Sequence, residues 1–318
     1  MRRLALALLV VASVAFVWPL THRAASLPIP NFQLPTTKRF SDPNGPRTFR
    51  VATFNIHKGA DRRNHYDLER TTEAIARFDA DVVGVQEAMQ NHPDFNCDDQ
   101  PALIAQGLRK RTGRPWTYVF VKAWITDHRQ CMERGRGKDI ETEGLAIFAR
   151  DRIVASSSVR LSEGRIGLAV RVASMPGVPV IVTHLSANQE NQPNREREIA
   201  LLLPWASKQG PGLLFGDFNA RPEASELGPV MARYRDAWAE AAAHGHAAGV
   251  TSGSTRPFGR VSRIDYVFYA PDVDLTLDSV EIVDTSTLPG LGEVSDHHPV
   301  VATFRRKPPA HAADAHAR

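Results

Sequence analysis

The stretch of sequence that most constrains the fold is residues 213–219, which read Leu-Leu-Phe-Gly-Asp-Phe-Asn. An apolar run stops at Gly216, and two oxygen-rich side chains, Asp217 and Asn219, follow two residues apart. A buried strand that ends in a carboxylate and an amide is a common way to build a site for a hard cation or a phosphate group. Glycine, aspartate and asparagine are also ordinary turn residues, so this stretch alone fits a turn as well as a site.

Polar side chains end three other runs of apolar, strand-forming residues. These three runs cover residues 49–54, 81–87 and 178–183. At or just after their ends stand, in the same order, Asn55, Glu87 and His184. Strand ends that meet at one rim of a sheet can gather distant residues into one site. The pattern therefore predicts that these three side chains lie close to Asp217.

Two further features lie near the end of the chain. Asp265 interrupts an apolar run, and Asp296 and His297 lead into the last predicted strand. Each feature also has a local explanation: an aspartate on an edge strand can face solvent, and Glu87 could instead begin a helix and offset its dipole. A single site explains all of these features together, whereas the local explanations require several independent coincidences.

The middle of the chain has the composition and patterning of one globular domain. Hydrophobic residues make up 42% of the 318 residues and charged residues 23%, which permits a core of normal size. No repeat and no second linker interrupts residues 49–305, and several predicted strands follow one another directly, which favours an α+β layered sandwich over an alternating doubly wound sheet. Strands are predicted at 49–54, 81–87, 116–121, 145–149, 166–172, 178–183, 213–215, 264–269 and 299–304, and helices at 67–78, 100–111, 195–205 and 229–246.

The N-terminal segment has the pattern of an export sequence. Arg2 and Arg3 precede a largely apolar run over residues 4–20, so we predict that residues 1–25 are a signal peptide or an N-terminal membrane anchor. No convincing cleavage motif separates these two interpretations, and both predict an exported domain, either periplasmic, secreted or anchored to the membrane. Residues 26–48 are predicted to be a proline-rich linker, and residues 306–318 a flexible tail.

The chain has only two cysteines, Cys97 and Cys131, which lie 34 residues apart. An oxidising compartment would allow them to pair, and neither has a second thiol or a suitably spaced histidine for metal binding. The export prediction therefore favours a disulfide between them.

The polar strand ends, taken in order, resemble the motif set of the endonuclease/exonuclease/phosphatase superfamily, the deoxyribonuclease I-like hydrolases. The resemblance covers residues 50–305, and no core motif is missing. Any one motif is weak, whereas the ordered set is specific. The motifs are Thr53-Phe54-Asn55, Val85-Gln86-Glu87, Thr183-His184-Leu185, Gly216-Asp217-Phe218-Asn219, Arg263-Ile264-Asp265-Tyr266 and Ser295-Asp296-His297.

The resemblance implies a four-layer α/β/β/α sandwich that hydrolyses phosphate esters with a divalent metal, usually Mg²⁺, with Mn²⁺ as an alternative. A hard cation held by carboxylate and amide oxygens neutralises the phosphate and stabilises charge on the leaving oxygen. By the same resemblance Glu87 is the principal metal ligand, Asn55 stands beside it, and three residues line the metal, phosphate and water positions: Asp217, Asn219 and Asp296.

The resemblance also assigns the proton-transfer groups. His297 is the expected general base, and Asp265 is expected to orient its ring. Imidazole suits the role of a base because it titrates near neutrality. His184, supported by Glu143, is the expected leaving-group acid or phosphate clamp. Arg165 resembles an arginine that contacts the phosphate. For both Glu143 and Arg165, an ordinary solvated side chain is the alternative.

The expected function is thus an exported, monomeric phosphodiesterase in which a histidine activates water. The net charge of +4 mildly favours anionic partners, and basic segments at 62–63 and 134–138 favour a nuclease-like substrate. A sphingomyelinase-like phospholipid substrate, for which no apolar hairpin is obvious in the sequence, and a phosphomonoester are the alternatives. Membrane association through the N-terminal segment stays possible. A non-catalytic binding module is a remote alternative, because no motif has lost its polar residue.

Overall fold

The computed structural model describes residues 48–307. Its strands are β1 Thr48–Asn55, β2 Val82–Gln90, β3 Thr117–Ile125, β4 Thr142–Ala149, β5 Ile153–Arg160, β6 Ile166–Val172, β7 Pro179–His184, β8 Leu213–Asp217, β9 Arg235–Asp236, β10 Ala247–Gly249, β11 Asp265–Tyr269, β12 Leu275–Ile282 and β13 Val300–Arg306. Its α-helices are α1 Leu68–Arg77, α2 Gln100–Thr112, α3 Gln130–Glu133, α4 Gln192–Gln209, α5 Gly228–Met231 and α6 Ala237–Ala243.

The strands form two mixed sheets. The first has seven strands in the order β10-β12-β13-β1-β2-β4-β3, and the second has six in the order β5-β6-β7-β8-β11-β9. Within the first sheet β1 and β2 run parallel, and within the second β7 and β8 run parallel. Each of these pairs therefore ends on one side, with its carboxyl ends together.

Helices cover the outer face of the first sheet. Phe54 and Phe148 of this sheet belong to one buried apolar cluster with Ile75 of α1 and Ile104 of α2. Each of these side chains is at most 1% exposed, and burying a side chain of this size stabilises the fold by about 1.5–3 kcal/mol. Side chains alternate along a strand, so neighbouring residues of the same strands face the second sheet.

The two sheets pack directly on each other. Val51 and Ile147 of the first sheet lie in the same buried cluster as Val182 and Phe215 of the second. Helix α4 covers the other face of the second sheet, where a Cβ on Gly167 would lie 2.8 Å from Leu202. The order helix, sheet, sheet, helix confirms the predicted four-layer sandwich.

The main differences from the sequence-based prediction lie in two strands and one helix, and the short elements α3, β9 and β10 were also not predicted. Strand β5 was not predicted because it is an exposed edge strand, mostly serine and alanine in the middle, without alternation. Strand β12 was not predicted, and a bulge interrupts its pairing between Leu277 and Ser279. The helix predicted over 229–246 is present only in two pieces, α5 and α6. Between them Asp236 pairs with β11, and its carboxylate accepts a hydrogen bond from Ala239 N, which caps α6.

The chain ends lie partly outside the described region. The predicted signal peptide or anchor, all of the linker except residue 48, and the tail beyond residue 307 fall outside it, while β13 continues into the tail as far as Arg306. Within residues 48–307, no helix combines the length and the hydrophobicity needed to span a bilayer.

Cys97 and Cys131 form a disulfide, as predicted. The bond joins the segment after β2 to the short helix α3, which lies in the connection between β3 and β4. It therefore fixes that connection to the chain that follows Glu87.

The tight contact between the sheets at Gly84 gives a test of the packing. A Cβ at this position would lie 2.5 Å from both Phe215 and Val182, so Gly84→Ala must push the sheets apart. We expect a loss of about 1–3 kcal/mol in the free energy of unfolding, measured by urea denaturation. Gly228→Ala is the matched control, because that glycine has ordinary helical angles and no atom within 4 Å of the added Cβ. Equal stability of both variants would contradict this packing.

Candidate functional site

The ends of β1, β7 and β8, together with the register shift within β2, bring the predicted polar residues to one rim. Asn55 lies at the centre of this arrangement and is 1% exposed. Its Nδ2 donates to Glu87 Oε1 at 3.0 Å and to Asp217 Oδ2 at 3.1 Å, and its Oδ1 accepts a hydrogen bond from His57 N at 3.0 Å. One amide thus connects a carboxylate of the first sheet with a carboxylate of the second.

Glu87 occupies a distorted position within β2. Its φ is +59°, in the left-handed region that non-glycine residues seldom adopt, and the register of β2 against β4 shifts between Val85 and Ala88. Such a β-bulge redirects a side chain, and bulges are frequent next to active sites. Here it accompanies the turn of the Glu87 carboxylate towards Asn55 and towards Lys58, whose Nζ lies 3.9 Å from Glu87 Oε2.

Gly216 holds the second half of the rim in place. Its φ is +147°, and a Cβ there would lie 2.0 Å from the carbonyl oxygen of Thr183. Only glycine allows β7 and β8 to approach in this way. The register that results places His184 opposite Asp217.

Two carboxylates lie side by side in the second sheet. Asp217 and Asp265 are paired across β8 and β11, and each is 1% exposed. Burial, followed by the charge of Asp265, raises the pKa of Asp217 to about 7. The hydrogen bonds from Asn55 and from Asn219 N lower this pKa but do not cancel the rise. Two adjacent buried carboxylates need positive partners, and His297 supplies the nearest one.

His297 is held between carboxylates. Its Nδ1 lies 2.8 Å from Asp265 Oδ2, and its Nε2 lies 3.8 Å from Asp217 Oδ2 and 3.9 Å from Asp296 Oδ1. Burial alone would lower its pKa, but the charges of Asp265 and Asp217, together with the Asp265 hydrogen bond, raise it to about 10. Ser295 fixes the loop, because its Oγ donates to the Asn55 carbonyl at 2.7 Å and accepts from His297 N at 3.1 Å.

His184 has the opposite electrostatic environment. Burial, followed by the charges of Arg165, His297 and Lys58, keeps its pKa well below the usual range, so the ring is neutral. Arg165 Nη1 lies 3.2 Å from His184 Nδ1, and since a guanidinium can only donate, Nδ1 is the acceptor. The proton is therefore on Nε2, 3.6 Å from Asp217 Oδ2.

The predicted pair of His184 with Glu143 is not present. Glu143 Oε2 instead lies 3.8 Å from Lys58 Nζ, so Lys58 stands between Glu87 and Glu143. Burial and the charge of Glu87 raise the pKa of Glu143, while Lys58 and Arg165 oppose this. The support for His184 comes from Arg165, which the sequence had suggested as a phosphate contact.

Asn219 and Asp296 complete the rim. Asn219 N donates to Asp217 Oδ1 at 2.9 Å and its Nδ2 donates to the Leu185 carbonyl at 3.0 Å, so this side chain also braces the strand ends. Asp296 is half-buried, and Arg256 Nη2 lies 3.6 Å from its Oδ2. The structure thus gathers the predicted site residues at one rim.

The sequence reasoning missed three residues that hold the site together. Lys58 neutralises two carboxylates and follows Asn55 by three positions, which was the available signal. Ser295 was seen only as part of a motif. Thr255 gave no signal: its Oγ1 accepts from Ile264 N at 3.0 Å and from Asp265 N at 3.2 Å, which fixes the start of β11.

The donor atoms at the rim suit a hard divalent cation. Carboxylates of Glu87, Asp217 and Asp296 stand with the amides of Asn55 and Asn219, and such oxygen donors match the ligand preference of hard cations. A tighter group, Asp217, Asp265 and His297, has ligand atoms within 4.8 Å of one another. The 2.8 Å contact of His297 with Asp265 engages those two residues with each other, which leaves the oxygens of the other rim residues for a cation.

Comparisons with known proteins identify the family of the chain. The model of the Endonuclease/Exonuclease/phosphatase family matches residues 52–297. The chain therefore belongs to this family, whose members are divalent-metal-dependent hydrolases of phosphate esters. A search of curated proteins found no match.

Solved structures of the family share the fold at low sequence identity. A family protein from Beutenbergia cavernae is 22% identical, with a TM-score of 0.61 over 82% of this chain and 72% of that one. The human Nocturnin catalytic domain with bound sulfate is 21% identical, with a TM-score of 0.57 over 81% and 93%. D. rerio TDP2 with a single-strand DNA product is 17% identical, with a TM-score of 0.55 over 81% and 98%.

Cation binding at the rim should be measurable as a gain in stability. A ligand that binds only the folded state at 100 times its Kd stabilises it by about 2.7 kcal/mol. We expect Mg²⁺ to raise the melting temperature of the native protein and to raise that of Glu87→Gln much less, because a charged ligand is lost. The control is Asp272→Asn, an exposed carboxylate beyond the opposite end of β11, which should respond like the native protein. Equal shifts of the melting temperature in all three proteins would show that Glu87 is not a cation ligand.

Proposed function

We propose that this protein is an exported, Mg²⁺-dependent phosphodiesterase with a nuclease-like substrate. The observation that carries the proposal is the buried His297–Asp265 pair, in which the second ring nitrogen, Nε2, faces the carboxylates of Asp217 and Asp296. Family membership supports phosphate-ester hydrolysis.

His297 is the proposed general base. Its Nε2 accepts a proton from the attacking water, while Asp265 holds Nδ1 protonated and stabilises the imidazolium that forms. A divalent cation bound by the rim oxygens would neutralise the phosphate and offset the carboxylate charges that raise the pKa of His297. Ser295 keeps the ring in position through the loop backbone.

His184 is the proposed donor to the substrate. The neutral ring carries its proton on Nε2, so it can donate a hydrogen bond to a phosphate oxygen or to the leaving oxygen and stabilise negative charge there. Arg165 fixes this tautomer through Nδ1 and brings a positive charge to the same place. His184 and His297 thus have complementary states: a neutral donor beside a cation, and a base among carboxylates.

Nucleic acid is the proposed substrate class, because cations surround the rim. Lys58, Arg165 and Arg256 each lie within 4.0 Å of a site residue, and phosphate contacts of this kind supply much of the affinity for nucleic acids. The structural neighbour from D. rerio was solved with a single-strand DNA product. Sphingomyelin and phosphomonoesters are the competing substrates.

The proposal of export is supported by the N-terminal sequence pattern and by the disulfide. We expect the native chain, expressed with its N-terminal segment, to appear in the exported or membrane fraction. After denaturation without reductant, titration with a thiol reagent should find no free thiol. Two reactive thiols in the exported protein would contradict the disulfide.

Removal of the proposed base should abolish most activity. General-base catalysis contributes roughly 10²–10⁴-fold, so His297→Ala should lower Mg²⁺-dependent hydrolysis of bis-p-nitrophenyl phosphate by a factor in that range. His244→Gln, an exposed histidine at the end of α6, is the control and should keep full activity. Undiminished hydrolysis by folded His297→Ala would refute the assignment.

The substrate class can be determined with a panel assayed in Mg²⁺. It should contain single-stranded and plasmid DNA, RNA, sphingomyelin, phosphoinositides and phosphomonoesters. We expect a higher kcat/KM for nucleic acids than for the lipids and monoesters. Preferential cleavage of sphingomyelin would replace the nuclease-like proposal with the phospholipid alternative.

A further inference from the structure

Trp124, near the end of β3, is unusually exposed for a tryptophan. It is 58% exposed, whereas Trp116 and Trp238 are 1% and 9% exposed. Tryptophan combines a large apolar ring with a polar N–H and is enriched at binding interfaces. The position of Trp124 relative to the proposed active site therefore bears on substrate binding.

The strand register places Trp124 beside the site. Trp124 pairs with Glu143 across β3 and β4, and side chains of directly paired residues lie on the same face of a sheet. Glu143 in turn lies 3.8 Å from Lys58, which contacts Glu87. Trp124 is thus separated from the proposed cation ligand by only two side chains.

The indole forms one wall of a cleft of about 250 Å³, lined by Ala123, Trp124, Ile125, Arg160 and Gly164. It packs close to Gly164, where a Cβ would lie 3.0 Å from the ring. The next residue, Arg165, contacts His184. A flat apolar ring that entered this cleft would therefore lie next to the proposed phosphate position.

The surroundings of the cleft favour an anionic ligand. Arg160 lines the cleft itself. The β3–β4 connection begins next to Trp124, and its tip, residues 129–138, carries four exposed basic residues and one acidic residue, whereas Asp127, Asp139 and Glu141 flank this tip and Asp139 is paired with Lys122. The disulfide at Cys131 holds this connection in place. Aromatic platforms combined with basic grooves are the general means of binding single-stranded nucleic acids.

The same surface fits a bilayer less well. Trp124 and Ile125 line the cleft together with Arg160, so a charged group stands beside the two exposed apolar side chains. The outer part of the connection, residues 133–138, contains charged residues and glycine only. A segment that inserts into lipid would instead project a continuous apolar surface.

We propose that Trp124 is a stacking platform for a nucleobase of the substrate, next to the scissile phosphate. This inference rests on the proposed function and narrows it to a single-stranded nucleic acid. Arg160 and the basic connection then contact the neighbouring phosphates. Trp124 determines substrate affinity and takes no part in the proton transfers.

Kinetics with a short single-stranded oligonucleotide test the proposal. Stacking of a base on an aromatic side chain contributes about 1–3 kcal/mol, so Trp124→Ala should raise KM for the oligonucleotide roughly 5- to 150-fold with little change in kcat. Trp124→Phe should restore most of the affinity, which a merely structural role would not require. An unchanged KM in Trp124→Ala overturns the proposal.

Tryptophan fluorescence provides a second test without turnover. An oligothymidylate titrated in EDTA should quench the native protein and the control Trp205→Phe, but not Trp124→Phe. A blue shift with sphingomyelin vesicles, without quenching by the oligonucleotide, would overturn the proposal in favour of a lipid surface. The two proposals can fail separately. If the proposed function is wrong, the native protein does not hydrolyse bis-p-nitrophenyl phosphate, but the oligothymidylate still quenches its fluorescence.

Discussion

The hydrogen bonds of the Asn55 amide connect the two halves of the site. The two sheets are joined in their interior mainly by apolar packing, which is not directional. At the rim, Asn55 Nδ2 donates to one carboxylate from each sheet, Glu87 and Asp217, and so fixes their separation. Because buried polar groups are costly when left unpaired, this bridge has a defined geometry that the apolar core alone would not impose. The positions of the proposed cation ligands follow from it.

The rim also shows how one fold gives two histidines opposite roles. Both rings are buried, so burial lowers the pKa of each. Around His297 three aspartates reverse that effect, whereas the guanidinium of Arg165 reinforces it at His184. The difference arises from charges that neighbouring strands and loops bring to each ring, and in the proposed mechanism it separates a proton acceptor, His297, from a hydrogen-bond donor, His184.

Much of this arrangement could be predicted from the sequence, because a strand that ends in a polar residue is a local pattern. Asn55, Glu87, His184 and Asp217 were placed correctly because each follows an apolar run. The partners across the pocket were harder: Glu143 was paired with His184, but the structure places it beside Lys58. The pairing of basic side chains with carboxylates depends on loop geometry and on the bulge at Glu87. Neither of these produces a periodic pattern in the sequence. The exposed edge strand β5 and the break at Asp236 were missed because tertiary pairing there overrides local propensity.

The disulfide between Cys97 and Cys131 has a consequence for binding. It closes a loop of 34 residues and anchors the basic β3–β4 connection to the chain that leaves β2. A connection that is already ordered loses little conformational entropy when a ligand contacts it, so less of the interaction free energy is spent on ordering. If this connection contacts the substrate as proposed, reduction of the disulfide would weaken substrate binding there, while the rim, whose contacts do not include either cysteine, would keep its geometry.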